Sequence, residues 1–245
     1  MNDSEVDDAL PAGLKLERTA QGLTLLSETE PDAGAVRVDF LTPEIGYRRH
    51  QPLGKEMLIK AVGGVVDNRR IAEVPSIIDA TAGLGQDSFM LACAGWQVIM
   101  LERSPVIHAL LSDGIARAIL TAHQSNDATL IAILDRMRLQ AAVDSVCFLR
   151  QTEPVDVVYL DPMFPERNKS ARVKKNRYLL QHLHGAEAQG DGLLMAALDV
   201  ARKVVVKRPR LAPALQDKAP SASIAGKTAR FDIYVGKSRR CIIRS

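Results

Sequence analysis

A chain of 245 residues, 47% hydrophobic and 25% charged, has the composition of an ordinary globular protein, and at this length it buries a large core without disulfide or metal staples. Its three cysteines, Cys93, Cys147 and Cys241, stand far apart without CxxC spacing. That excludes a disulfide scaffold or zinc ribbon and points to a reducing compartment.

There is no basic-then-apolar leader and the longest apolar runs look too short for a bilayer, so a cytoplasmic protein without a membrane partner is expected. Net charge is +3, but residues 1–33 hold eight acids and two bases, a net of −6, which leaves +9 on the remainder. A basic body of that kind suits a polyanionic partner such as nucleic acid.

In chain order, the acidic opening from Asp3 to Asp8 is followed by β-like runs at Leu14–Ser27 and Ala35–Leu41. In "AVRVDF" polar and apolar residues alternate with strand period. Residues 1–50 are thus expected to form a β-rich extension and 51–245 an α/β domain. "GYRRHQPLGKEMLIKAVGG" reads as a basic loop entering a short helix over 55–62, ended by Gly63-Gly64.

From Pro75 strands and helices alternate. Strands are expected at 76–80, 97–101, 139–143, 156–160 and 203–207, and helices at 87–94, 105–122, 128–138 and 192–201. Such alternation predicts a mostly parallel sheet covered on both faces, with right-handed crossovers. The runs "RFDIYVGK" and "RRCIIRS", split by Gly236-Lys237-Ser238, suggest an antiparallel hairpin at the sheet edge.

"SIIDATAGLGQDSF" carries the first functional signal. An apolar strand ends at Asp79, Gly83 and Gly85 turn the chain, and Gln86-Asp87 open a helix. Ligands of such sheets bind beyond the strands' carboxyl ends, where glycines let backbone come close. A dinucleotide is disfavoured, because Ser88 stands where GxGxxG needs its third glycine. Asp87 would also repel a pyrophosphate from the helix N-terminus. A cationic sulfonium cofactor fits the acids better. The next strand ends at Glu102-Arg103, 19 residues beyond Gly83, where an acid can take both ribose hydroxyls. Asp144-Ser145, after the third strand, can reach an adenine amine or simply make a turn.

The fourth strand ends in "DPMFP", Asp161 to Pro165. This resembles the (D/N)-P-P-(F/Y/W) loop of amino-methyltransferases, with Met163 replacing the second proline. An exocyclic amine is a weak nucleophile because its lone pair is delocalised into the ring. Asp161 and the Pro162 carbonyl can accept its N–H bonds, and Phe164 can pack on an extruded base. "ERNKSARVKKNR" follows, with six bases and one acid. Lys169, Arg172, Lys174 and Lys175 in it are candidate phosphate contacts. Arg48 and Arg49, and Lys207-Arg208 at the end of the fifth strand, are further ones. His182 and His184 lack a third ligand nearby, so no metal is expected.

With these motifs the chain resembles the ribosomal RNA small subunit methyltransferase J family, guanine-N2 methyltransferases of bacterial 16S rRNA. The matching stretches are "DATAGLGQDSF", "MLERSPV", "VVYLDPMFP" with "KSARVKK", "VVVKRP" and "RFDIYVG". The resemblance implies a Rossmann-like class I fold. It also implies S-adenosylmethionine held around Gln86-Asp87, Glu102-Arg103, Asp144-Ser145 and Asp161, and small-subunit rRNA or the 30S particle as partner. "AAVDSVCF" matches least well. Adenine-N6 or protein-amide methylation, and a non-catalytic rRNA-binding assembly factor, are the alternatives; the residues do not fix the oligomeric state.

Overall fold

The computed structural model describes residue 6 and residues 9–30, 34–67, 73–162, 183 and 192–238. The N-terminal part is a three-stranded antiparallel sheet of β1 (Leu14–Thr19), β2 (Gly22–Ser27) and β3 (Ala35–Val36). Helix α1 (Pro43–His50), a 3-10 turn at Leu53–Lys55 and α2 (Met57–Val62) lead into the main domain. There β4 (Ser76–Asp79), α3 (Gln86–Cys93), β5 (Gln97–Met100), α4 (Pro105–Gln124), α5 (Ala128–Leu134), β6 (Met137–Leu139), α6 (Ser145–Gln151) and β7 (Val155–Leu160) alternate. Then come α7 (Leu193–Val200), β8 (Ala201–Pro209), β9 (Ala222–Ala225) and β10 (Ala229–Val235).

The seven-stranded sheet has the order β6-β5-β4-β7-β8-β10-β9, parallel through β8 and antiparallel at β10 and β9. The expected Rossmann-like class, with antiparallel C-terminal edge strands, is therefore found. The chain winds outward from β4 through β5 to β6, then returns to β7 on the other side, so the strand order reverses between β4 and β7. A crevice forms beyond the carboxyl ends at such a reversal.

Strand period two sorts the core. Ile77, Val157, Tyr159 and Val205 face a cluster with Phe89, Leu91, Leu110 and Phe231. Ile78, Val158, Leu160, Val204 and Val206 face Leu149, Leu194 and Ala197. Each fully buried aliphatic side chain contributes about 1.5–3 kcal/mol relative to exposure.

Several elements differ from expectation. Residues 43–50 form a helix rather than a loop: Thr42 accepts a hydrogen bond from Ile45 N, Pro43 occupies the first turn, and Arg48, Arg49 and His50 suit its C-terminus. The third strand lies earlier, at Met137–Leu139, because the preceding helix stops at Leu134. Residues 145–151 are helical, capped by Asp144, which accepts from Cys147 N.

The C-terminal hairpin joins β9 to β10, and β8 takes the other edge of β10. The expected second run, "RRCIIRS", covers residues 239–245 and lies outside the described ones. Finally, α4 is by length and composition alone long and apolar enough to cross a bilayer, contrary to the estimate from apolar runs. It packs instead against the N-terminal sheet. Asp113 on it accepts from Leu23 N at 3.0 Å and Arg18 at 2.9 Å, and Arg117 donates to the Val38 carbonyl.

Candidate active site

The turn after β4 is built around Asp79. Only 1% exposed, its carboxylate accepts from Ser88 Oγ at 2.5 Å and Thr81 N at 3.1 Å. Burial, with the charges of Asp87 and Asp161 nearby, pushes it up to about 7 despite these two bonds. Asp79 therefore pins the loop from beneath, through the serine that replaces the third glycine of a dinucleotide fingerprint.

Gly83 and Gly85 both have positive φ, 53° and 75°. A Cβ on Gly85 would lie 2.6 Å from Leu111 and 3.1 Å from Phe40, so both conformation and space call for glycine.

Glu102, 4% exposed at the tip of β5, accepts from Gly83 N at 3.0 Å and Ser104 N at 2.8 Å. These bonds fix its carboxylate beside a groove that Thr81, Arg103, Asp144, Ser145 and Leu193 also line. Burial raises the Glu102 carboxyl, partly offset by the two backbone N–H groups. Ser145 Oγ donates to the Ala80 carbonyl at 2.6 Å, locking the far wall to the first strand. The expected cofactor residues thus share one edge of the sheet. Asp144, left open between adenine contact and turn, acts as the α6 cap and lines the groove as well.

Across the reversal point, register brings a second set together. Leu160 pairs with Val206 in parallel, so the next residues, Asp161 and Lys207, stand side by side. Period two turns both to the face of Tyr159 and α3. Lys207 Nζ reaches Asp161 Oδ2 at 2.7 Å and Asp87 Oδ2 at 2.8 Å. Tyr159 OH donates to the same Asp87 oxygen at 2.7 Å, and Asp161 N donates to Thr81 Oγ1 at 2.6 Å.

Burial alone would raise the Asp87 carboxyl, but Lys207, with Tyr159, outweighs it and holds it below the usual carboxylate range. Burial would lower Lys207; Asp87 and Asp161 reverse this and raise it. Burial and the three neighbouring acids push the Tyr159 phenol well up.

Lys207 thus belongs to the carboxylate cluster and not to an outward phosphate contact, as the sequence suggested. Arg208 points to the other face. It is 4% exposed and donates twice to the Pro213 carbonyl, at 2.6 and 3.0 Å, so its guanidinium braces a loop. Arg49 lies 3.6 Å from Asp127. Arg48, 3.6 Å from Glu56, borders a cleft of about 260 Å³ lined also by Arg37, Asp39, Thr42 and Gln86. Phe164, Lys169, Arg172, Lys174, Lys175, His182 and His184 lie outside the described residues.

Sequence reading missed Thr81, Tyr159 and Ser88 as parts of the site, and the bridging place of Lys207. Counting two residues along each parallel strand from a shared register would have aligned Tyr159, Asp161 and Lys207.

Two positive-φ glycines, a tethered acid at the second strand tip and an excess of carboxylates over cations suit a cofactor with a ribose diol and positive charge. A family model described as "Putative SAM-dependent methyltransferase" matches residues 4–236. Curated proteins named ribosomal RNA small subunit methyltransferase J are similar along most of the chain. The one from Thioalkalivibrio sulfidiphilus is 47% identical over 86% of this chain and 80% of its own. That of Cellvibrio japonicus is 45% identical over 88% and 80%, and that of Pseudomonas fluorescens 43% over 96% and 86%. A crystal structure of a SAM-dependent methyltransferase from Neisseria gonorrhoeae superposes with a TM-score of 0.68 at 32% identity, covering 94% of this chain and 86% of that one. Glycine loop, strand-tip acids and these matches agree: the chain belongs to the ribosomal RNA small subunit methyltransferase J family of S-adenosylmethionine-dependent methyltransferases.

Proposed function

We propose that this enzyme methylates the exocyclic N2 amine of a guanosine in small-subunit (16S) ribosomal RNA, as naked rRNA or in the 30S particle, in the cytoplasm. The observation that carries this reading is the position of Asp161-Pro162. They leave β7 at the strand reversal, one strand away from the Gly83–Asp87 loop, with Asp161 tied to that loop through Lys207.

Bound S-adenosylmethionine supplies an electrophilic methyl group on its sulfonium. Glu102 takes the ribose hydroxyls, Asp144 and Ser145 the adenine side of the groove, and Gln86 and Asp87 the amino-acid end. Asp79, Gly83, Gly85 and Arg103 shape the pocket. Asp161 and the Pro162 carbonyl accept the N–H bonds of the target amine, aim its nitrogen and enrich its electron density. Phe164 packs on the base. Holding nucleophile and methyl in line contributes up to about 7–11 kcal/mol in favourable cases. Arg48 and Arg49 on α1, with Lys169, Arg172, Lys174 and Lys175, contact phosphates flanking the target and position the RNA without reading its sequence.

Replacing Asp161 by alanine is expected to cut methyl transfer to rRNA by about 100-fold or more, with the melting temperature of the folded protein little changed. Turnover equal to the wild type would refute the assigned role.

A further inference from the structure

We propose that Lys207 is a positioning residue for methyl transfer, a charged strut that sets the spacing between the cofactor loop and the amine-orienting loop. The inference rests on the function proposed above and adds to it a part that neither motif contains.

Its ammonium lies 2.8 Å from Asp87, on the first turn of α3, and 2.7 Å from Asp161, at the tip of β7. Those two carboxylates belong to the two loops that must hold donor and acceptor face to face. Three further features make the bridge specific. Lys207 lies within β8, one residue past its parallel pairing with β7 and opposite Phe231 of β10, and residues 204–206 before it are wholly buried, so its stem starts from a rigid point. Asp87 Oδ2 is shared with Tyr159 OH, which limits the carboxylate to one orientation. Asp161 is held from its backbone side by Thr81, so the side-chain bond to Lys207 completes its placement. Without the ammonium, Asp87 and Asp161 would confront each other across the reversal point without the charge that bridges them, and like charges would drive the loops apart.

The test compares the wild type with Lys207→Met, Lys207→Gln and Lys207→Arg. Methyl transfer is measured under steady-state and single-turnover conditions on small-subunit rRNA from a strain lacking the enzyme. Binding of S-adenosylhomocysteine is measured by calorimetry between pH 5 and 8. A displacement of about 1 Å at the reacting centre costs on the order of 100-fold. Lys207→Met and Lys207→Gln should therefore lose about that factor in kcat, with KM for rRNA nearly constant. Lys207→Arg, which keeps the charge, should recover most of it.

Removing the cation should also shift the acid limb of S-adenosylhomocysteine binding upward by about 1–3 pH units, the effect of losing an adjacent opposite charge. Wild-type kcat in the Met and Gln variants would overturn the proposal. So would a loss that follows only the folded fraction, or one that Arg does not relieve. If the wild type methylates neither this rRNA nor 30S subunits from the same strain, the substrate reading is at fault. The binding arm still decides the strut, which superimposable pH profiles for wild type and Lys207→Met would exclude.

Discussion

Asp79 shows how one buried carboxyl can couple the loop to pH. An unfolded aspartate titrates near 3.8, whereas burial holds this one near 7 in the folded protein. Between those values the folded chain keeps a proton that the unfolded chain has lost. Stability is therefore fully present below the unfolded value and falls as pH rises toward 7, with a slope approaching about 1.4 kcal/mol per pH unit. Asp79→Asn is expected to flatten that decline in denaturant midpoints measured from pH 4.5 to 7.5; an unaltered slope would assign the dependence to another group. Ser88→Ala removes the hydroxyl donating to Asp79 and should destabilise the protein by about 1–3 kcal/mol, the range for a buried polar group losing its partner. Chemical denaturation measures it. Ser88 was legible in the sequence only as a departure from a dinucleotide motif. Its partner became visible only once the helix turned it back toward the end of β4.

Among elements, the turn from β4 into α3 admits least change. Gly85→Ala combines a φ of 75° with a Cβ 2.6 Å from Leu111, so the variant should lose more than the ~1–2 kcal/mol of left-handed strain alone. Its affinity for S-adenosylhomocysteine should weaken in parallel; full retention of both would show that the turn relaxes freely. This loop was readable because strand, paired glycines and helix start are all local signals.

Helix α1 was not readable in the same way: "PEIGYRRH" offers no apolar stripe, and capping by Thr42 with the basic last turn decides it. Helix α6 hid behind Asp144-Ser145, residue types that serve equally as turn or cap. The carboxylate partners of Lys207 were hidden for a different reason. "VVVKRP" reveals a strand ending in basic residues, but not which strand lies beside it. The pairing of Leu160 with Val206 turns a candidate RNA contact into the partner of Asp161.

For the whole molecule, we propose that residues 1–50 act as an extension mounted on the methyltransferase domain of residues 51–245. Its apolar side chains Leu25, Val36, Val38 and Phe40 share one core cluster with Leu110, Leu111 and Ala118 of α4. Asp113 is the polar rivet, taking bonds from Leu23 N, Arg18 and Arg117. Burial would raise its carboxyl, but Arg117, with Leu23 N and Arg18, holds it below the usual range. Asp113→Ala should speed amide hydrogen exchange across residues 14–38 while leaving β4, β7 and β8 protected, because the parallel sheet does not depend on that rivet. Equal acceleration in both regions would mean that extension and sheet open as one unit.

The chemistry itself is tested most directly by incubating 16S rRNA and, separately, 30S subunits from a strain lacking the enzyme with the purified protein and S-adenosylmethionine carrying a trideuterated methyl group. The rRNA is then digested to nucleosides and the ribosomal proteins to peptides for mass spectrometry. The label is predicted in N2-methylguanosine with the wild type and absent with Asp161→Ala. Label in N6-methyladenosine, in ribosomal protein, or in neither would contradict the account.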